Sequence, residues 1–318
     1  MPPEGNAPEG ASAEEAKVTE LMELMDTLER EQLVGRYALK CEFHDAGPLL
    51  RFLQSSELAN SRRWAFRGQT DAEWGLTPAI ERLAPEPAFW NDAETRILRD
   101  FKERAHLYVR ALPAIDDELS WLALMRHHGA PTRLLDWTKS PYVAAFFAAS
   151  EATRDRPSAI WAIDQSAILR EAVGLVCPDG GGLAARHPSA AVLGDTEWFI
   201  PVFFRHTTVP LVAPVEPSMT NERQVIQQGI FLCSSSMQWG WGFETSLKHM
   251  LRACEQSGTH WLYKLEIYPD ARDSLLKELL RMNVSYATLF PGLDGFARSL
   301  STKASLGSDY FEDHCYPI

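Results

Sequence analysis

The sequence predicts an α+β protein with mixed, mainly antiparallel sheets and helices packed on them. Three observations point there. Short runs rich in branched and aromatic residues recur along the chain, without the regular alternation with helices that a doubly wound sheet requires. Other segments carry apolar residues at spacings of three and four between recognisable start and stop signals, the pattern of amphipathic helices. A composition of 45% hydrophobic and 10% aromatic residues, with ten tryptophans, supplies a substantial core to the 318-residue chain.

The elements follow in order. Residues 1–12 hold no large apolar side chain after Met1, cannot bury enough surface to offset the entropy of ordering, and are expected to form a disordered tail. An N-terminal helical segment is expected over residues 13–48, where Val18, Leu21, Met22, Met25 and Leu28 mark a helix from Ala13 to about Val34. The remainder, 49–318, is assigned to one domain. At its start Pro48 to Leu58 reads as a short helix, and Trp64-Ala65-Phe66 as a strand broken by Gly68. Ile97, Leu98, Phe101, Ala105, Leu107 and Tyr108 predict a helix from Asn91 to Leu112, and a second helix is expected from Glu118 to His128, stopped by Gly129 and Pro131. Ser140 and Pro141 serve as N-cap and first residue of a largely apolar, buried helix through Ala149. Strands are expected over 158–163, 199–204, 209–212, 224–233 and 261–267, and a helix over 270–282. The Gly-rich stretch Cys177 to His187 reads as a loop, and no Lys-Ser/Thr follows its three glycines to make a P-loop.

The net charge of -12 argues against broad electrostatic attachment to nucleic acid. Arg62, Arg63, Arg67, Arg82, Arg126 and Arg133 nevertheless fall near the most polar motifs, so an anion-binding cleft can sit within the acidic average. Five widely spaced cysteines without a CxxC pair read as reduced thiols and argue against a zinc site or a disulfide framework. No apolar run approaches the roughly 18 residues of a membrane span, and the N-terminus is not of the basic-then-apolar secretory kind, so no membrane contact and a cytoplasmic location are expected. Neither HExxH nor GxSxG occurs, which argues against metal and serine hydrolases and for no metal.

Polar function is densest between Met125 and Pro141, MRHHGAPTRLLDWTKSP, where two histidines, two arginines, an aspartate and two threonines surround a Gly-x-Pro turn. Upstream stand Phe66-Arg67-Gly68-Gln69 and Trp74-Gly75-Leu76-Thr77-Pro78. This order of FRGQ, WxLxP and HHGxPTRLLDWTxSPxxAAFFA resembles the FRG-domain family, and Asn221-Glu222-Arg223, Gln227 to Phe231 and Leu289 to Gly295 extend the likeness over about residues 50–300. The family is described mostly from bacterial proteins, often in toxin or phage-defence settings. A more distant resemblance is to the ADP-ribosyltransferase fold, in which an Arg-Gly ending an early strand grips NAD and a later Ser/Thr strand with a Pro-x-Val-Ala-x-x-Phe-Ala helix lines the nicotinamide pocket.

That resemblance implies an ADP-ribosyltransferase-like domain with NAD as its substrate, which transfers ADP-ribose to a protein or nucleic acid acceptor or hydrolyses NAD. Catalytic roles would fall to Arg67, Thr138, Glu222, Gln228 and His127. Cofactor contacts would come from Phe66, Arg67, Gly68, Gln69, His128, Thr132, Arg133, Asp136, Trp137, Thr138 and Phe147. Chemistry agrees with several of these: an arginine fork suits a diphosphate, a glycine permits close backbone approach to a ligand, and Trp137, Phe147 or Tyr108 could stack on nicotinamide. The carboxylate that usually leads the third strand is unassigned, because Glu222, Gln224 and Gln228 share one face of a strand there and Arg223 and Gln227 the other. Plainer roles stand beside these. Arg67 could be a structural partner of Asp136, the histidines could cap a helix C-terminus, and Trp137 and Phe147 could be core. A non-enzymatic nucleotide-sensing or protein-interaction module is the alternative.

Overall fold

The structure, a computed structural model, describes residues 9–55, 57–60, 62–84, 86–176, 196–205, 209–235 and 237–307. The expected loop Cys177 to His187 and most of the expected tail lie outside these residues. Among the described residues seven strands, β1 (Leu39–Phe43), β2 (Trp64–Gln69), β3 (Leu134–Thr138), β4 (Ser158–Asp164), β5 (Val212–Val215), β6 (Gly229–Ser234) and β7 (Leu262–Ile267), form one sheet in the order β1-β7-β4-β2-β3-β6-β5. Only β1 and β7 run parallel, and the other pairs are antiparallel. The chain is thus α+β with a mixed, mainly antiparallel sheet.

The helices that matter below are α1 (Glu9–Arg30), α2 (Ala46–Leu53), α3 (Trp90–Arg104), α4 (Glu118–His127), α5 (Pro141–Ser150), α6 (Gln165–Val176), α7 (Glu222–Ile226), α8 (Phe243–Ser257), α9 (Pro269–Arg281), α10 (Tyr286–Leu289) and α11 (Leu293–Ser305). Alternation along the strands divides their side chains between two cores. Trp64 and Phe66 of β2, Ile160 and Ala162 of β4, and Tyr263 and Leu265 of β7 meet α2, α5 and α9 on one face. Ala65, Trp161, Ile163 and Leu262 point the other way, into a core shared with Leu28 of α1, Trp121 of α4, Ile168 of α6 and Leu247 of α8. The sheet is therefore the middle of three layers, and its central strands are apolar on both sides.

Local signals act as the sequence suggested at several joints. Ser140 Oγ accepts from Val143 N at 3.3 Å and Pro141 opens α5. Gly129, with φ +86°, follows the end of α4, where Ala130 N closes onto the Met125 carbonyl. Elsewhere the structure corrects the reading. Strand β2 does not stop at Gly68 but continues to Gln69. Residues 199–204 are helical, from Thr196–Ile200 into Pro201–Arg205, because Phe199 and Phe203, four residues apart, turn to the same core with rings 4.9 Å apart. The strand expected over 224–233 begins only at Gly229, and the helix expected over 91–112 ends at Arg104. Strand β1 and helices α6, α8 and α11 are additional to the expected elements. No described helix is long and apolar enough to cross a membrane.

Candidate functional site

Strands β2 and β3 are neighbours that share a single register pair, Phe66 with Thr138, whereas β2 pairs with β4 from Trp64 through Gln69. Past that one pair the ladder is interrupted. Arg67 takes up the opening, its Nη1 donating to the Asp136 carbonyl at 2.7 Å where a strand amide would otherwise do so. A hollow of about 240 Å³ lies at this split, lined by Phe66, Arg67, Gly68, Asp136, Trp137, Thr138, Phe147, Arg223 and Gln227. A second, of about 260 Å³, has Arg126 and His127 from the end of α4, Asp136 and Trp137 from β3, and Asn221, Arg223 and Gln224 from α7 and its cap in its wall. A third, of about 450 Å³, is bounded by His127, Glu222, Arg223, Phe290, Asp294 and Arg298 among others. Arg223 lines all three, so they adjoin around its side chain and form one grooved region.

The first two hollows are cationic within an acidic protein. Arg67, Arg126 and Arg223 face the first two hollows against one carboxylate, Asp136. Arg126 answers that carboxylate with Nε 2.8 Å from Asp136 Oδ2 and with Nη2 on the same oxygen. Burial, only partly offset by Asp136 and aggravated by Arg126 and Arg82, pushes the Arg67 guanidinium down to about 10, so it stays charged at neutral pH. Arg223 is lowered as well, first by burial and then by Arg126 and Arg298. His127 is held below its ordinary value by burial, by His128 and by Arg223, and its imidazole is neutral at pH 7. Three buried polar atoms of these walls, Arg67 Nε, Trp137 Nε1 and Gln224 Oε1, have no partner in the described structure, a shortfall that native cores rarely leave.

The expected site residues divide. Arg67, Gly68, Asp136, Trp137, Thr138 and Phe147 come together at the split, with Phe66 contributing from beneath. Thr138 is committed, since its Oγ1 donates to the Gln227 carbonyl at 2.6 Å and accepts from Ser140 N at 3.0 Å. Gly68 serves packing rather than ligand approach: a Cβ there would sit 2.1 Å from the Ala144 carbonyl oxygen of α5. Gln69 is a buried strut, its Nε2 donating to the Gly75 carbonyl and its Oε1 accepting from Trp161 Nε1. Thr132 and Arg133 are fully buried away from the groove. Thr132 Oγ1 accepts from Leu134 N, while Arg133 pairs with the equally buried Glu94 and donates to Asn91 Oδ1. His128 is exposed, packing its ring against His127, and lines none of the three hollows. Tyr108 is 83% exposed and lines none either.

The segment expected as a strand with alternating Glu222, Gln224 and Gln228 is the short helix α7 followed by a turn. Asn221 Oδ1 accepts from Gln224 N at 2.8 Å as an N-cap, and Gln228 adopts φ +49° before β6. Glu222 therefore sits exposed on the rim of the third hollow, and Gln227 rather than Gln228 faces the first. Arg126, expected as part of an anion-binding cleft, belongs to the groove, and so do Arg223, Phe290 and Arg298, which were not among the expected catalytic or cofactor residues. The Asn-x-x-Gln spacing of 221–224 is a helix-start signature that could have exposed Arg223.

Residues 62–156 match the family model of the FRG domain. No curated protein matches the chain significantly. No solved structure does so either.

Proposed function

We propose that the chain, which carries an FRG domain over residues 62–156, uses this groove to bind NAD and break its nicotinamide–ribose bond, passing ADP-ribose to a macromolecule or to water. The observation that carries the reading is the cationic, aromatic-walled opening between β2 and β3, with Arg67 and Thr138 on its two lips. Pockets for ligands of this class run to several hundred Å³ with few convergent polar groups, and the three hollows have that size together. Phe147, half-buried at the opening, offers a ring face to nicotinamide. As the C–N bond breaks, its electron pair leaves on the nicotinamide nitrogen and the ribose carbon becomes oxocarbenium-like. A lone pair of the acceptor then bonds that carbon, and the neutral His127 imidazole takes the proton the acceptor loses. To Glu222, on the rim of the third hollow, this reading gives the orientation of the acceptor. Consumption of NAD would suit a bacterial toxin or phage-defence effector.

Purified protein incubated with NAD labelled in the adenylate moiety, alone and with protein, RNA or DNA acceptors, tests this. Nicotinamide release or label transfer is expected, reduced at least about 100-fold in Arg67→Ala if that guanidinium holds the dinucleotide in its reacting geometry. Absence of both NAD binding and nicotinamide release in the wild type removes the reading. A second reading has its own support: the Thr138 hydroxyl and the Asp136 carboxylate are both engaged within the protein, as they would be in a module that senses a nucleotide without turning it over. Tight NAD binding without nicotinamide release selects that alternative.

A further inference from the structure

The cations of the groove differ in what they hold. Among the described residues, Arg126 is bound to the Asp136 carboxylate, Arg298 to Glu151, and Arg67 to the Asp136 carbonyl. The Arg223 side chain makes neither a hydrogen bond nor a salt bridge there. Its guanidinium lies over the Phe290 ring, 4.2 Å from the centroid. Phe290 in turn packs edge-on to Phe147, with ring centroids 6.1 Å apart. The stack fixes the plane of the guanidinium and leaves its N–H edges free. Burial already lowers the Arg223 pKa, and a partly desolvated charge with no hydrogen-bonded counter-charge is a costly arrangement for a fold to keep without a ligand. Arg223 is also the arginine that all three hollows share.

We infer that Arg223 is the anion anchor of the groove and that its fork takes the diphosphate of the bound nucleotide. This deepens the NAD reading, on which it rests for the identity of the whole ligand though not for the diphosphate itself. The role commonly given to the Arg-Gly arginine thus passes from Arg67, one of whose nitrogens is spent on a strand carbonyl and another buried, to a residue across the opening. Phe290 acts as a positioning residue through the Arg223 plane. The spacing is coherent: the chain of rings from Phe290 to Phe147 leads from the anchor to the split between β2 and β3.

The test is calorimetric titration of inorganic pyrophosphate and, separately, of NAD into wild type, Arg223→Ala, Arg223→Lys and Phe290→Leu, at low and moderate salt. Wild type is expected to bind pyrophosphate, with Arg223→Ala weaker by about ten-fold or more, the loss of one charge-assisted fork. Arg223→Lys should fall between the two, because it keeps the charge and loses the fork. Phe290→Leu should weaken binding without altering its salt dependence, since no charge is removed. Melting temperatures of the Arg223 variants should stay close to wild type, because the lost stack on Phe290 and the relief of an unpaired, partly buried charge oppose each other. Pyrophosphate bound within about two-fold as well by Arg223→Ala, or not bound by wild type, overturns the anchor. NAD bound equally by wild type and Arg223→Ala overturns the anchor while the NAD reading stands. Arg223-dependent pyrophosphate binding with no binding of NAD leaves the anchor standing and removes the NAD reading.

Discussion

A Cβ on Gly68 would lie 2.1 Å from the Ala144 carbonyl oxygen and 2.6 Å from Ala148 N, both backbone atoms of α5. Backbone cannot swing aside as a side chain can, so Gly68→Ala should push α5 off β2 and cost about 3 kcal/mol or more in urea unfolding. His127 supplies a pH-dependent signature at the same scale. Its folded pKa lies below its ordinary value through burial, His128 and Arg223, so the unfolded chain takes up the proton first. Its share of stability is whole above the unfolded value near 6.5 and is lost as pH falls through the lowered folded value. His249, lowered chiefly by burial, works in the same sense. The difference between wild type and His127→Gln across pH 5 to 7, followed by thermal melting, therefore isolates the site histidine: wild type should lose more stability on acidification than the variant. An equal loss in both would remove the assignment.

At the scale of elements, β3 is anchored from outside the sheet. Arg133, just before it, is fully buried with Glu94 of α3, which accepts from both the Arg133 backbone N and its Nε. Truncating Glu94 to Ala leaves a guanidinium uncompensated in the core and should cost about 3–5 kcal/mol, read by denaturant midpoint, without touching a residue of the groove. This pair also explains part of what was legible. The motif around Met125 to Pro141 announces its importance by residue types, and its helix signals, Gly129 and Ser140-Pro141, act as written. Which of its polar groups face solvent and which face core depends on partners as distant as Glu94, 39 positions away, and no local pattern carries that. The helix α7 was mistaken for a strand because Val225, Ile226, Ile230 and Phe231 share a composition suited to either; the Asn221 cap decided between them.

For the whole molecule, the α+β class followed from element content alone, and the sheet order did not. Strands β1 and β7 are more than 200 positions apart yet pair from Leu39 with Tyr263 to Phe43 with Ile267, a non-local closure that no local pattern announces. The groove was half visible for the same reason: Arg67 and Asp136 come from motifs dense in polar function, while Arg223 and Phe290 reach it from segments that carry the family likeness without a local sign that they converge there. The acidic average, a net charge of -12, conceals a cationic seam because the two are properties of different surfaces.

The lone register pair between β2 and β3 has a mechanical meaning. Four strands, β1, β7, β4 and β2, form one well-laddered panel, and β3, β6 and β5 another. In the plane of the sheet they are stitched by Phe66 with Thr138 and by the Arg67 guanidinium. A molecule lodged in the seam would touch both panels at once, as a clasp does.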